Sequence, residues 1–337
     1  MRSIGVDLHT TQITVCYLKV GEQEPEFKTY RLEQLEEFLR NLTEEDELAV
    51  EATGNTRWFV SKVKRAVRRV VIVNPREFQV IKKSVKKTDR RDALNLARFL
   101  RAGLLPEVRE RSEQAERIGS LNETRNKLVR LRTSLMNKIH ALAVGRGRKL
   151  KKESLASERG LSKVLEQEWS AAERIELEIM AAEIRHLKES ISRLDKVIAE
   201  QAEKMRGFRN LISITGIGAR SAGVLLAVIG EVEDFATADK LAAYFGIVPR
   251  IANSNEQERS GRITKRGSKT GRTTLVQCTL VAIRHNEYLK NYYEQVKARR
   301  GHGKAKIATA RKYLTLIYNT LTNGWVFRDF NNFELAE

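Results

Sequence analysis

Apolar residues recur every seven positions between Leu177 and Ile198. Leu177, Ile184, Ile191 and Ile198 hold one heptad position, and Met180, Leu187 and Leu194 hold the other. Such spacing is satisfied only on a helix, where it makes a continuous seam that a second helix must cover. A long helical arm is therefore predicted for the middle of the chain. Upstream, Leu128, Leu131, Leu135 and Leu142 keep near-heptad spacing with Arg and Lys between them, until Gly145 and Gly147 interrupt. The two runs suit a surface hairpin or an arm for dimerisation or RNA binding, and the spacing leaves both readings open.

What flanks the arm differs on its two sides. Residues Ser3 to Asp7 and Ile13 to Val20 read as strands separated by a polar turn at His9 to Gln12, and Glu26 to Tyr30 forms a third strand after the break at Gly21 to Pro25. Leu32, Leu35, Phe38, Leu39 and Leu42 then recur at helical spacing. Glu47 to Ala52 returns to strand, Arg57 to Val67 to helix, and Val70 to Val73 is a β-branched run expected to be buried on both faces. Three strands, helix, strand, helix, strand predict a mixed α/β sheet: an antiparallel meander followed by crossover units. Beyond Phe208 the chain becomes globular again and mainly helical. A chain of 337 residues exceeds the usual single core, and three parts are expected: residues 1–105, a helical arm at 113–205, and a C-terminal domain at 206–330.

The charge narrows the partner. With 62 Lys plus Arg against 43 Asp plus Glu, the net charge is +19 and the pI near 10.0, which argues for a polyanion and above all for nucleic acid. No stretch approaches the ~20 apolar residues of a membrane span, and Met1 to Asp7 has no signal-peptide pattern, so a cytosolic protein with no membrane partner is expected. Cys16 and Cys278 lie in separate apolar runs and read as reduced packing residues. His9, His140, His186, His285 and His302 make no metal spacing with one another or with Cys, which argues against a histidine-based metal site.

Carboxylates are better placed. Phosphoryl transfer on DNA commonly uses divalent metals held by carboxylate oxygens, which hard Mg2+ prefers. Asp7 ends the apolar strand Ile4-Gly5-Val6-Asp7, and Glu51 ends Leu48-Ala49-Val50-Glu51 in the same manner, so the two can meet at the ends of neighbouring strands. Asp89 and Asp92 lie three apart at the start of a helix that Thr88 can cap, so both point to one face. Each Asp alone reads as an ordinary cap or surface residue; the joint pattern is the specific signal.

Gly5-Val6-Asp7, Val50-Glu51-Ala52-Thr53-Gly54, the stretch Lys87 to Ala93, Gly216-Ile217-Gly218 and Ile263-Thr264-Lys265-Arg266-Gly267 together resemble the transposases of the insertion sequence 110 family, over nearly the whole chain. The resemblance implies an N-terminal RuvC-like (RNase H-like) domain whose DEDD carboxylates are Asp7, Glu51, Asp89 and Asp92, a coiled-coil middle, and a C-terminal transposase domain with a nucleophilic serine. It implies Ser254 in that role, a set distance after Gly246-Ile247-Val248-Pro249-Arg250. The family has Gly after this serine, whereas this chain has Asn255, which can adopt the left-handed conformation Gly favours. Ser260 and Ser268 are the rival serines. The resemblance further implies a structured noncoding bridge RNA that pairs with donor and target DNA, which nothing in the composition shows.

The same region is basic. Arg250, Arg259, Arg262, Lys265, Arg266 and Arg272 cluster among glycines, as suits a phosphate backbone passing close to the chain, although a solvated basic loop looks the same. Gly216 and Gly218 precede a helical run from Ala219 to Ile229, a turn whose backbone N–H groups can hold a phosphate. Tyr288, Tyr292, Tyr293, Tyr313 and Tyr318 lie among Lys and Arg on predicted helices, where core packing and base stacking compete as explanations. The expected activity is DNA strand cleavage and rejoining with Mg2+, or Mn2+ in its place, by a homodimer that pairs into a tetramer. Its rivals are a RuvC-like junction nuclease with an inert serine, and a non-catalytic nucleic-acid scaffold.

Overall fold

The computed structural model describes residues 1–19, 21, 24–82, 88–254, 257–329 and 332–335. The chain divides into two compact units, Met1–Glu110 and Arg111–Glu337.

In the first unit, β1 (Arg2–Leu8), β2 (Gln12–Lys19) and β3 (Glu26–Arg31) are followed by α1 (Leu35–Arg40), β4 (Glu47–Glu51), α2 (Thr56–Val63), β5 (Arg69–Val73), α3 (Pro75–Lys82) and α4 (Asp89–Arg101). The sheet order is β3-β2-β1-β4-β5. The first three strands pair antiparallel, while β1–β4 and β4–β5 are parallel, which is the expected mixed sheet. Alternation along β1 sends Ile4, Val6 and Leu8 to a face covered by Phe38 of α1 and by Phe59 and Val63 of α2. Gly5 and Asp7 take the opposite face. There α4 crosses the sheet, packing Ala93 and Ala97 against Cys16 and Leu18 of β2, and Leu96 and Leu100 near Ala49, Val71 and Val73.

One expectation fails here. Val70 to Val73 is not covered on both faces: Val71 and Val73 are buried, but Val70 and Ile72 are half-buried. The reason is position, since β5 is the edge strand, and among the described residues its outer side is met by residues 106–108, through Val108 N–H to the Ile72 carbonyl (2.7 Å) and Asn74 N–H to that of Pro106 (2.9 Å).

The second unit begins with a helical hairpin, α5 (Glu113–Gly145) and α7 (Ala171–Glu203), with the short α6 (Glu158–Leu165) between them. Arg125–Asp195 (2.8 Å), Lys138–Glu176 (3.4 Å) and Arg146–Glu173 (2.6 Å) pair them with one chain ascending as the other descends, so the helices are antiparallel. On α7 the heptad holds, with Leu177, Ile184, Ile191 and Ile198 all buried. On α5 it is corrected: Leu131 is 49% exposed, and the seam runs through Ala115, Ile118, Asn122, Met136, Ile139 and Ala143. That seam passes through Arg125, whose side chain is only 19% exposed against Asp195. Apolar periodicity could not find a seam that is polar midway.

Beyond the hairpin follow α8 (Phe208–Ile212), α9 (Ala219–Ile229), α10 (Ala238–Phe245), a ribbon of β6 (Pro249–Ser254) and β7 (Gln257–Ile263), α11 (Lys269–His285), α12 (Glu287–Thr322), and a ribbon of β8 (Trp325–Asp329) and β9 (Asn332–Leu335). The apolar α9 sits at the centre, with Leu225 and Ile229 against Phe245, Leu275, Tyr313 and Ile317. Ala115 and Ile118 of α5 and Ile198 and Ala202 of α7 belong to this same core, so the arm is rooted in the C-terminal half. Cys16 and Cys278 are free and buried, and burial pushes the Cys16 thiol up to about 11. Among the described residues no helix is long and apolar enough to cross a membrane.

The tightest fit in the first unit is at Gly5, where a Cβ would stand 1.9 Å from the Ala93 carbonyl oxygen and 2.6 Å from the Ala97 nitrogen. Both are backbone atoms, so relief requires α4 to move as a body. Gly5→Ala is expected to cost about 1–3 kcal/mol in urea unfolding, the usual scale of overpacking. A variant as stable as the natural chain would show that α4 does not rest on β1 at this point.

Candidate active site and nucleic-acid interface

Two aspartates stand at opposite ends of the first sheet and meet opposite treatment. Asp46, just before β4, is fully buried. Arg2 donates to it three times (backbone N–H to Oδ1 3.2 Å, Nε to Oδ1 3.0 Å, Nη2 to Oδ2 2.5 Å), and the Thr43 N–H donates once (2.9 Å). Burial alone raises its pKa, but these donors outweigh it and hold the carboxyl below the ordinary range. Asp46 is a structural anchor.

Asp7, near the other end, has its carboxyl pushed up. Burial is the main cause, the charges of Asp92 and Asp89 add to it, and His9 only partly offsets them. His9 Nε2 lies 3.2 Å from Asp7 Oδ2 and 3.6 Å from Asp89 Oδ1. Its loop is held by the His9 N–H to the Gln12 carbonyl (3.0 Å) and by Asn55 Nδ2 to the His9 carbonyl (2.9 Å).

The acids come together for a local reason at each position. Thr88 caps α4, its hydroxyl accepting from the Arg91 N–H (3.3 Å), which starts the helix at Asp89 and places both Asp89 and Asp92 in its first turn, where the helix dipole favours anions. Asp89 is half exposed and Asp92 only 7% exposed. Because Gly5 admits α4 against β1, this turn lies on the sheet face that carries Asp7. Glu51 ends β4, one step beyond the Val6–Val50 pair of the parallel β1–β4 register, and so stands beside Asp7 on the neighbouring strand. The chain after it is folded back by Thr56, whose hydroxyl donates to the Glu51 carbonyl (2.7 Å) and accepts from the Thr53 N–H (2.8 Å).

Asp7, His9 and Asp89 each present one ligand atom within 4.8 Å of the others. A site dominated by carboxylate oxygens, with one of its acids held against its preferred ionisation, fits a hard divalent cation. His9, which makes no metal spacing with another His or Cys in the sequence, stands within this cluster of carboxylates. Its partners are carboxylates, one two residues away and one far along the chain, so no His or Cys spacing signals it.

In the second unit Ser254 ends β6 and pairs with Gln257 across the ribbon, while Asn255 lies outside the described residues, as does Lys87 of the first unit. The side chains of residues 251–260, and so those of Ser254, Arg259 and Ser260, lie outside them too. Ser268 is a helix cap, its hydroxyl accepting from the Gly271 N–H (3.0 Å) at the start of α11. Arg272 donates to the Phe245 carbonyl (2.9 Å) and so ties α11 to the end of α10. Arg250, Arg262, Lys265 and Arg266 are exposed, with Arg250 directed at the Thr264 carbonyl (3.5 Å). Gly218 caps α9 facing open space; Gly216, at φ 97°, lies on α11, where a Cβ would meet the Cys278 carbonyl oxygen at 2.6 Å. Gly216 is therefore required by packing, whatever else its turn does.

Two family models match separate parts of the chain. A model of DEDD transposases of insertion sequence 110, described as a transposase, matches residues 4–146, and the model "Transposase IS116/IS110/IS902 family" matches residues 208–294. The chain belongs to the IS110 family of transposases. The first match spans Asp7, Glu51, Asp89 and Asp92, and the second spans Gly216, Gly218, Ser254 and the basic segment.

Relatives within this setting cover most of both chains. The transposase is 26% identical over 298 residues to a probable family 20 transposase of Pseudomonas aeruginosa, spanning 83% of this chain and 85% of that one. It is 27% identical over 275 residues to the transposase of insertion sequence element IS1111A of Coxiella burnetii (76% and 72%). A pilin gene-inverting protein of Moraxella lacunata is 28% identical over 291 residues (80% and 78%). The activity common to this family is DNA recombination.

The raised Asp7 carboxyl has a consequence for the metal-free transposase. Since its folded pKa lies above the unfolded value, the ionised group costs stability at neutral pH, and that cost disappears as pH falls below the ordinary aspartate value of about 3.9. In chelator at pH 7, Asp7→Asn is expected to melt higher than the natural chain, with the gap closing as pH falls towards about 4. A lower melting point for the variant at pH 7 would mean that His9 over-compensates the burial of Asp7.

Proposed function

We propose that this transposase cuts and rejoins DNA strands through a covalent phosphoserine link, using a RuvC-like domain whose DEDD carboxylates are Asp7, Glu51, Asp89 and Asp92. The observation that carries the reading is the convergence of these acids: Asp7 and Asp89 share one cluster, Asp92 acts electrostatically on Asp7, and Glu51 is one register step away. The five-stranded mixed sheet with acids at two parallel strand ends and on the helix crossing them supports the RuvC-like assignment.

Asp7, Glu51, Asp89 and Asp92 would hold Mg2+, or Mn2+, which when bound polarises the scissile phosphate and stabilises charge on the leaving oxygen. The chain's own residues do the rest. Ser254 Oγ attacks phosphorus as the phosphorus–oxygen bond to one sugar breaks, and that sugar departs as a free hydroxyl carrying the proton the serine gave up. A hydroxyl from the partner strand then attacks the phosphoserine, rebuilding a phosphodiester and returning the proton to Ser254. The division into residues 1–105, 113–205 and 206–330 assigns these roles to the catalytic domain, the arm and the serine domain. Donor and target DNA are the substrates. By resemblance, an element-encoded bridge RNA selects them, and a dimer pairing into a tetramer supplies enough active sites for two duplexes.

Asp7→Asn, Glu51→Gln or Asp92→Asn is expected to lower recombination by more than about 100-fold, beyond the loss typical of groups that merely support metal ligands. Divalent cation should raise the melting temperature of the natural chain but not of Asp7→Asn.

The serine is tested separately. Stalled reactions on labelled DNA, run on denaturing gels, should retain a protein–DNA adduct that maps to Ser254 and vanishes, with product, in Ser254→Ala. An adduct on Ser260 would move the nucleophile. Cleavage with no adduct under any stalling condition would make the protein a water-activating nuclease of the RuvC kind.

A further inference from the structure

The second unit holds a groove of about 1480 Å³ between the base of the β6–β7 ribbon and α12, well beyond the ~300–1,000 Å³ usual for small-molecule pockets. Its cations are Arg262 from the ribbon, Lys265 just after it, and Arg299, Arg300, Lys304, Arg311 and Lys312 from α12, and among the described residues no acid lines it. Among the described residues only Arg311 of this set makes an ion pair, with Asp239 (2.8 Å). Seven cations in one concavity repel one another, and such a surface is complementary to an extended anion. The floor is apolar, formed by Ile247, Ile263, Val296 and Ile307.

That combination distinguishes one form of nucleic acid from another. A duplex turns its sugars and phosphates outward and hides the faces of its bases, so an apolar floor gains nothing against it. A single strand offers phosphates to the rim and bare base faces to the floor, and aromatic rings beside such a floor add stacking. Tyr292 lines the groove, and Lys312 Nζ lies 4.7 Å from its ring centre and 4.6 Å from that of the exposed Tyr288. Between Arg300 and Lys304 the helix is broken at Gly301 (φ 77°, ψ 164°), and neither Gly301 nor Gly303 has any atom within 4 Å of where a Cβ would stand. A backbone phosphate can therefore approach the main chain closely there.

We propose that this groove binds single-stranded DNA, the form that strand exchange must expose, with Arg300, Lys304 and Lys312 contacting phosphates and Tyr288 and Tyr292 stacking on bases. The proposal rests on the family's action on DNA and on neither the carboxylates nor Ser254, so it stands or falls by binding alone. The probe is a fluorescent oligo-dT of about 20 nucleotides, compared with a matched duplex and with oligo-rU, on the full chain at several salt concentrations. The natural chain should bind oligo-dT more tightly than duplex. The triple variant Arg300→Glu, Lys304→Glu, Lys312→Glu should lose roughly tenfold or more of that affinity and about 2 from the slope against log salt, three phosphate contacts at ~0.7 each. Tyr288→Ala with Tyr292→Ala should weaken oligo-dT but not duplex. Circular dichroism melting confirms folding of each variant.

A triple variant that keeps its oligo-dT affinity would overturn the proposal, as would equal losses for duplex and single strand. Tighter binding of oligo-rU than oligo-dT would overturn the choice of DNA.

Discussion

The contact on which the first unit depends is the one at Gly5. Helix α4 lies so close to β1 that its backbone oxygen at Ala93 fills the place of a side chain. Every larger residue would lift the helix, and with it the turn that carries Asp89 and Asp92. The alternation of β1 puts Asp7 two residues further along on this same face, so a single small residue decides whether acids from distant parts of the chain can meet. The cluster that results is unfavourable by itself, since Asp7 is held above its ordinary pKa by burial and by its acidic neighbours. Folded structures that concentrate like charge in a half-buried site sacrifice stability for function, and the contrast with Asp46, satisfied by four donors, makes the difference visible within one domain.

The second unit manages buried charge in the other way. Asp195 on α7 meets Arg125 of α5 (2.8 Å) and Arg220 of α9 (3.5 Å), and Arg220 reaches Asn122 at 3.4 Å. Burial, and then the neighbouring Arg125, lowers the Arg220 pKa, while Asp195 opposes both. A polar cluster midway along an otherwise apolar seam sets the register, because sliding either helix by a turn would strand a charge without its partner. The outer half of the hairpin is held by ordinary packing of Met136, Ile139, Leu177 and Met180 with α6. The arm thus has a fixed alignment near its root and an apolar outer end.

The tail aromatics separate by environment. Tyr313 is fully buried and donates to the Thr215 carbonyl (2.6 Å), and Tyr318 donates to that of Phe235 (2.9 Å); both fasten α12 to the core. Tyr288 and Tyr292 instead flank Lys312 beside the basic groove. Their spacing along the chain is no different in kind. What separates them is which side of α12 meets α9 and α10 and which side is left to the ribbon.

The sequence by itself determined the order of strands and helices, the mixed sheet, the heptad of α7 and the Thr88 cap, because periodicity and capping are local properties. The family was legible from short motifs for the same reason. Only the tertiary structure decided the rest. His9 joined Asp7 and Asp89 through a fold contact that no spacing records, the α5 seam ran through Arg125 because its partner lies on another helix, and Val70 and Ile72 were half-buried because β5 stands at the edge of its sheet. The groove gathers cations from β7 and from both sides of a helix break, residues far apart in the chain. Each of these depends on which surfaces meet, and that is settled by packing across the molecule rather than by any residue's neighbours in sequence.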